Sequence, residues 1–200
     1  MRRRVTFCFD CLKKIGIFGG TFDPIHHGHL ILAREALEVL ALEAVIFIPA
    51  AASPHKLDNT LAPADARLEM LRVAIEGEDR FELDSIELNR PAPSYAFETV
   101  ISFRQTKPDA EFFYLIGEDN VDRLPTWYRF PELAKMVQFV VLARSGLKSE
   151  HPYRTIRRHL DISATMIRNR VATGRSIRYL VPPAVEKIIR DRQLYRESQK

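Results

Sequence analysis

The chain has 200 residues, of which 46% are hydrophobic and 28% are charged, so it has the size and composition of one globular domain with a single core. No apolar run approaches the roughly 18 residues of a membrane span, and the N-terminal apolar stretch over residues 5–9 is shorter than the roughly 7–15 residues of a signal-peptide core. We therefore expect a cytoplasmic protein without a membrane partner.

The charge is unevenly distributed along the chain. The net charge of +4 conceals a C-terminal quarter, residues 151–200, with 12 basic and 4 acidic residues. Such a quarter suits an anionic partner, either a nucleic acid or a phosphorylated small molecule, but a solvated helical face has the same composition. Because Tyr153 and Tyr179 are a thin supply of aromatic rings for stacking bases, we expect no nucleic-acid partner.

Two cysteines, Cys8 and Cys11, form a C-x-x-C pair. One pair supplies two of the four ligands that a structural zinc ion needs, and the sequence has no second pair. Zinc shared across a dimer and a redox role are the alternatives. We interpret both residues as ordinary thiols and expect no metal held by protein side chains.

Short apolar runs alternate with amphipathic segments along the chain. The runs predict strands over residues 13–18, 44–48, 81–88, 112–116 and 137–142. Helical spacing predicts helices over residues 27–40, 63–75 and 95–104, the last capped by Ser94, then one that opens at Ser163 and one near residues 184–190. This alternation indicates an α/β protein with a mainly parallel sheet covered by helices on both faces. We expect residues 13–200 to form this single domain and residues 1–12 to be an N-terminal extension.

Ligands of such sheets bind beyond the carboxyl ends of the strands. The first of these loops reads GGTFDPIHHGHL over residues 19–30. His26 and His29 are three residues apart and share a face of the first helical turn, where backbone N–H groups favour a phosphate. The two histidines with Asp23 could instead bind a metal ion, but no third ligand has supporting spacing. The loop is neither a Walker loop nor a dinucleotide G-x-G-x-x-G motif, so phosphate chemistry is the favoured interpretation.

The same loop resembles the T/H-x-G-H signature of the nucleotidylyltransferase superfamily. Further motifs occur in the order seen in bacterial nicotinate mononucleotide adenylyltransferases: SPHK at residues 53–56, PSY at 93–95, IGED at 116–119, LPTWY at 124–128 and ISATMIR at 162–168. The resemblance extends from about residue 13 to about residue 196. It implies a Rossmann-like doubly wound sheet and transfer of AMP from ATP to nicotinate mononucleotide, with Mg2+ on the triphosphate. Dual use of nicotinate and nicotinamide mononucleotide, or another phosphorylated substrate, is the alternative.

The resemblance also implies roles for individual residues. It assigns charge stabilisation at the phosphates to His26, His29, Lys56 and Arg168. It assigns ATP binding to Gly19, Gly20, Thr21, Phe22, Asp119, Ser163 and Thr165, and mononucleotide binding to Ser94, Tyr95, Trp127 and Tyr128. The hydroxyls and Asp119 could equally cap helices, and Trp127 could equally fill the core.

Two positions depart from the family pattern. Ala50 follows the second predicted strand where relatives often have Asn, and Ala96 follows Ser-Tyr where relatives commonly have Thr. Both positions belong to the nicotinate pocket that the resemblance implies. These two departures bear on the preference for nicotinate over nicotinamide, which must be measured directly. A homo-oligomer is possible from the sequence.

Overall fold

The computed structural model describes residues 13–51, 62–91, 93–144 and 150–196. These residues form six strands: β1 (Lys13–Gly20), β2 (Ala44–Pro49), β3 (Phe81–Leu83), β4 (Ala110–Gly117), β5 (Gln138–Ala143) and β6 (Arg154–Arg157). Six α-helices accompany them: α1 (His27–Val39), α2 (Ala64–Ile75), α3 (Ala96–Thr106), α4 (Phe130–Met136), α5 (Ala164–Ala172) and α6 (Pro183–Asp191). A 3-10 helix, Glu118–Thr126, follows β4.

The six strands form one parallel sheet in the order β3-β2-β1-β4-β5-β6. Ile17 of β1 pairs with Ile46 of β2 on one side and with Tyr114 of β4 on the other. The chain therefore moves outward from β1 in one direction and then, from β4, in the other. This order is that of the Rossmann fold, and it places a crevice beyond the carboxyl ends of β1 and β4. The predicted Rossmann-like α/β fold is confirmed.

Each face of the sheet carries its own apolar layer because side chains alternate along the strands. On β4, Phe113 and Leu115 pack with α1, α2, α5 and α6, whereas Phe112 and Tyr114 pack on the opposite face with α3 and α4. Parallel strands buried on both faces read as continuous apolar runs, which is why the central strands were recognisable in the sequence.

The prediction of a strand over residues 81–88 is wrong beyond Leu83. Asp84 accepts a hydrogen bond from the N–H of Ile86 at 2.8 Å, and the N–H of Leu88 donates to Ser85 O at 2.9 Å, so the backbone turns. The Ser94 cap is also wrong: Tyr95 occupies that position, and the Ser94 hydroxyl donates to Glu87 O at 3.3 Å.

The observed helices otherwise follow the predicted ones within a few residues. Three elements were not predicted, namely β6, α4 and the 3-10 helix. Within the described ranges, no helix combines the length and the apolar character needed to cross a membrane.

Candidate active site

The carboxyl ends of β1 and β4 lie side by side and open into two loops. After β1 the chain runs through residues 21–26 into α1, and after β4 it enters the 3-10 helix that carries Asp119. Gly19 of β1 leaves room for the side chain of Tyr114 on β4, since a Cβ at residue 19 would lie 2.8 Å from the Tyr114 hydroxyl. A Cβ at Gly117 would overlap the Asp119 carboxylate. Asp119 is exposed and lies in the 3-10 helix that directly follows the carboxyl end of β4.

The two histidines of the first loop lie against each other at the start of α1. The rings of His26 and His29 stack with their centroids 3.7 Å apart. The backbone N–H of His26 donates to Nδ1 of His29 at 3.3 Å. When the His29 imidazole is neutral, its proton therefore resides on Nε2, which becomes a hydrogen-bond donor.

His26 is fully buried, and neither ring nitrogen has a hydrogen-bond partner among the residues that the structure describes. Burial, with smaller contributions from the charges of Arg144 and His27, lowers the pKa of His26 from 6.5 to about 3. The imidazole is therefore neutral at neutral pH. Gly28 makes room for it, because a Cβ there would lie 3.0 Å from the ring.

Phe22 supports His29 from the other side of the loop. Its backbone adopts a left-handed conformation with φ of 46°, which a bulky residue rarely takes. The ring is 2% exposed and meets the rings of His29 and Phe18 edge-on, at centroid distances of 5.2 and 5.4 Å. The side chain therefore packs against His29 and fixes the orientation of its ring.

Asp23 ties the loop to distant parts of the chain. Its carboxylate is buried and accepts hydrogen bonds from the Tyr195 hydroxyl at 2.6 Å and from the N–H of Ala62 at 3.2 Å. Burial raises the pKa of Tyr195, and the neighbouring Asp23 charge raises it further. Tyr195 therefore remains protonated and donates to Asp23.

The start of α5 lies beside the same loop. Arg168 donates to Asp23 O at 2.7 Å and to the Thr165 hydroxyl at 3.3 Å. Ser163 accepts from the N–H of Met166 at 3.1 Å, so the helix-capping interpretation of Ser163 is confirmed. The structure thus brings Arg168 to the loop of the two histidines, with Thr165 and Ser163 beside it in the first turn of α5; their binding of phosphate stays a prediction.

Of the four residues predicted to bind the mononucleotide, the structure brings Tyr95 and Tyr128 together beside α3. The rings of Tyr95 and Tyr128 lie 4.6 Å apart between centroids, and Tyr128 is 49% exposed. Trp127 meets Tyr114 and Phe139 edge-on at 5.8 and 6.2 Å. Its indole nitrogen is buried with no hydrogen-bond partner in the described part of the chain. Trp127 therefore packs against the core.

Lys56 lies outside the described residues, as do Cys8 and Cys11. Arg67 of α2 was not predicted as a site residue, yet it is fully buried and hydrogen-bonded to the first loop. The available signal was its spacing of four residues from the apolar Leu71, which is on the buried face of the same helix. An arginine on the apolar face of a helix marks a buried polar contact.

Comparisons with known proteins identify the family of the chain. The sequence matches the cytidylyltransferase-like family over residues 17–170, and the chain belongs to that family. Within it, the chain is 44% identical over 187 residues to a probable nicotinate-nucleotide adenylyltransferase of Geobacillus thermodenitrificans, a match that covers 92% of this chain and 87% of the relative. It is 39% identical to the nicotinate-nucleotide adenylyltransferase of Bacillus subtilis, covering 92% of this chain and 99% of that protein. The chain therefore belongs to the nicotinate-nucleotide adenylyltransferase family.

A solved structure supports the fold. The nicotinic acid mononucleotide adenylyltransferase of Plasmodium falciparum, complexed with NaAD, superposes with a TM-score of 0.78 at 18% identity. The superposition covers 92% of this chain and 97% of that one.

Proposed function

We propose that the protein transfers the adenylyl group of ATP to nicotinate mononucleotide and so forms nicotinate adenine dinucleotide and pyrophosphate. A phosphate oxygen of the mononucleotide attacks the α-phosphorus of ATP in line, a new P–O bond forms, and the bond to the bridging oxygen of pyrophosphate breaks. The observation that carries this proposal is the stacked pair His26 and His29 at the N-terminus of α1, in the crevice of the sheet. Membership of the adenylyltransferase family supports it.

The histidines act on the phosphates as hydrogen-bond donors. His29 offers its Nε2–H, because Nδ1 already accepts from the backbone. His26 offers one ring N–H of a neutral imidazole, since its depressed pKa keeps it uncharged. Fixed donors aimed at developing negative charge stabilise a transition state without reorganising when the charge appears. Because His26 is uncharged, we assign cationic neutralisation of the phosphates to Arg168 and Lys56.

Arg168 is suited to this role because a guanidinium group has five N–H donors. One is used on Asp23 O and one on the Thr165 hydroxyl, which fix the side chain and leave donors for phosphate oxygens. The N-terminus of α5, with Ser163 and Thr165, adds a positive helix end to the same place. The backbone of residues 19–22 would line the ATP, and Asp119 would accept hydrogen bonds from the ribose.

We propose Mg2+ as the cofactor, bound to the protein through ATP. The described residues include no group of three His, Cys, Asp or Glu side chains that could hold a metal ion. Mg2+ commonly keeps several waters and binds through substrate phosphates, so the donor set fits an ion carried on the triphosphate. The ion would supply charge neutralisation there.

The mononucleotide side is proposed around the first turn of α3. Tyr95 precedes that helix and its ring contacts Tyr128, so the N–H groups of the α3 N-terminus and of Tyr128 can converge on one carboxylate. The Ala50 N–H is already donated to Gly20 O at 2.9 Å and is not a donor for this purpose. Ser94 contributes by fixing the turn through Glu87 O, and Trp127 would stack on the pyridine ring.

The decisive experiment measures pyrophosphate release from ATP and Mg2+ with nicotinate mononucleotide and, separately, with nicotinamide mononucleotide. We expect release with nicotinate mononucleotide at a much higher kcat/KM, because a helix N-terminus favours an anion over a neutral amide. Comparable values would favour the dual-specificity alternative. No release with either substrate would refute the proposal. A reaction without mononucleotide controls for ATP hydrolysis.

A further inference from the structure

Arg67 makes an unusual set of contacts for a charged residue. It lies in the first turn of α2 and is 1% exposed. Its Nε donates to Ala62 O at 3.1 Å, and Nη1 donates to Thr21 O and Ala50 O, both at 2.8 Å. Nη2 donates to Ala51 O at 3.4 Å. Four of the five guanidinium donors are therefore used on backbone carbonyls.

These carbonyls belong to segments that are far apart in the sequence. Thr21 lies in the loop between β1 and α1, Ala50 and Ala51 follow β2, and Ala62 precedes α2. The Ala50 N–H donates to Gly20 O, so the ends of β1 and β2 are joined from a second side as well. Both backbone polar groups of Ala50 are thus occupied, one by β1 and one by Arg67.

A neutral side chain could not hold this junction equally well. Burying a guanidinium is unfavourable, and it persists because several carbonyl dipoles converge on it. Carbonyl oxygens packed together without a cation would repel one another and remain unsatisfied. Arg67 therefore fixes the spacing between the two loops, and the planar guanidinium sets that spacing more rigidly than a lysine ammonium on its flexible stem would.

We infer that Arg67 is a positioning residue for adenylyl transfer: its guanidinium aligns the ATP-side loop at Thr21 with the chain after β2 at Ala50 and Ala51. The inference rests on the proposed function, in which the loop before α1 holds ATP, and on the nicotinate pocket that the family resemblance places at Ala50. When Arg67 is substituted, the groups that bind each substrate remain in place. The alignment of the two substrates with each other is lost.

In-line attack depends strongly on that placement. The reacting atoms must approach to roughly 3–3.5 Å, and a displacement of about 1 Å caused away from the chemistry can cost on the order of 10²-fold in rate. A loss of alignment should consequently lower kcat while the KM values change little. A purely structural role would instead lower thermal stability and leave the kcat of the folded enzyme unchanged.

The test compares Arg67→Lys and Arg67→Met with Arg72→Lys and Arg72→Met, matched changes at an exposed arginine of the same helix. For each variant, kcat and both KM values are measured well below its unfolding midpoint, with the folded fraction determined by circular dichroism. We expect Arg67→Lys to lose about 10–10²-fold in kcat per folded enzyme, with KM values within about threefold of wild type. Arg67→Met should lose more, and the Arg72 variants should match wild type.

Each outcome bears on one hypothesis. Wild-type kcat per folded enzyme in Arg67→Lys, or a failure of that variant to fold, would overturn the positioning role in favour of a structural one. A rise in one KM with kcat unchanged would also overturn it, because it would make Arg67 part of a single binding pocket. Inactive wild-type and Arg72 proteins would instead refute the proposed function itself.

Discussion

The buried state of His26 predicts a specific dependence of stability on pH. Its imidazole is fully buried and its pKa is lowered from 6.5 to about 3. Between these two values the unfolded chain binds a proton that the folded protein does not. The stabilisation is therefore fully present above about pH 6.5 and is lost as the pH falls from there towards about 3.

The magnitude follows from the two pKa values. The pKa of His26 is 6.5 in the unfolded chain and about 3 in the folded protein. Lowering the pH from about 7 to about 5 therefore lowers the free energy of unfolding by about 2 kcal/mol through this one group. That is a substantial part of the roughly 5–15 kcal/mol that holds a typical domain folded.

Urea unfolding of the wild type and of His26→Gln, at about pH 7, 6 and 5, measures this contribution. Other titrating groups are common to both proteins, so the difference between their pH dependences isolates His26. We expect the wild type to lose about 2 kcal/mol more than the variant over this range. His159→Gln, at an exposed histidine, controls for the removal of one imidazole and should follow the wild type. Parallel pH dependences for the wild type and His26→Gln would refute the assignment of a neutral, buried His26.

Three further predictions concern the site. His29→Ala should lower kcat by about 10²–10³-fold if the Nε2–H of His29 acts as one oxyanion-type donor. His27→Ala, on the same turn, should keep a kcat near that of the wild type. Equal kcat values for both variants in steady-state kinetics would exclude this role for His29. Trp127→Ala should raise the KM for the mononucleotide more than that for ATP, a comparison that does not depend on the folded fraction, and equal changes would contradict stacking on the pyridine ring. Tyr195→Phe should lower the free energy of unfolding by about 1–3 kcal/mol in urea, because Asp23 loses a buried donor. A decrease of only a few tenths of a kcal/mol in the free energy of unfolding would mean that the hydrogen bond is not formed in solution.

The parts of the fold that the sequence predicted are those with strong apolar periodicity. The central strands are buried on both faces and therefore appear as unbroken apolar runs. β6 was missed because Arg154–Arg157 contains one buried apolar residue, Ile156, and lies at the sheet edge, where charged side chains remain solvated. α4 was missed for a similar reason: its seven residues bury one apolar side chain, Leu133.

The candidate site was predictable where its residues are close in sequence. His26 and His29 are three residues apart, and this spacing was sufficient to predict that they meet, although His26 is the extended N-cap residue of α1 rather than, as expected from the sequence, part of its first turn. Arg168 and Tyr195 contact Asp23 across 145 and 172 residues, and such contacts follow from the path of the whole chain rather than from any local pattern. The resemblance to a known family brought Arg168 to the site without revealing that Asp23 holds it.

Arg67 escaped prediction for a further reason, which also bears on the two departures from the family pattern. Its partners are carbonyl oxygens, and every residue type carries one, so no side-chain motif records the contact.

The same is true of Ala50, whose N–H and C=O are both used to join β1, β2 and α2. A change of side chain at residue 50 leaves these hydrogen bonds in place. The carboxylate site that we propose for nicotinate therefore does not use residue 50; it uses the N–H groups at the N-terminus of α3, where Tyr95 contacts Tyr128. Because the proposed recognition uses backbone N–H groups, it is compatible with Ala96.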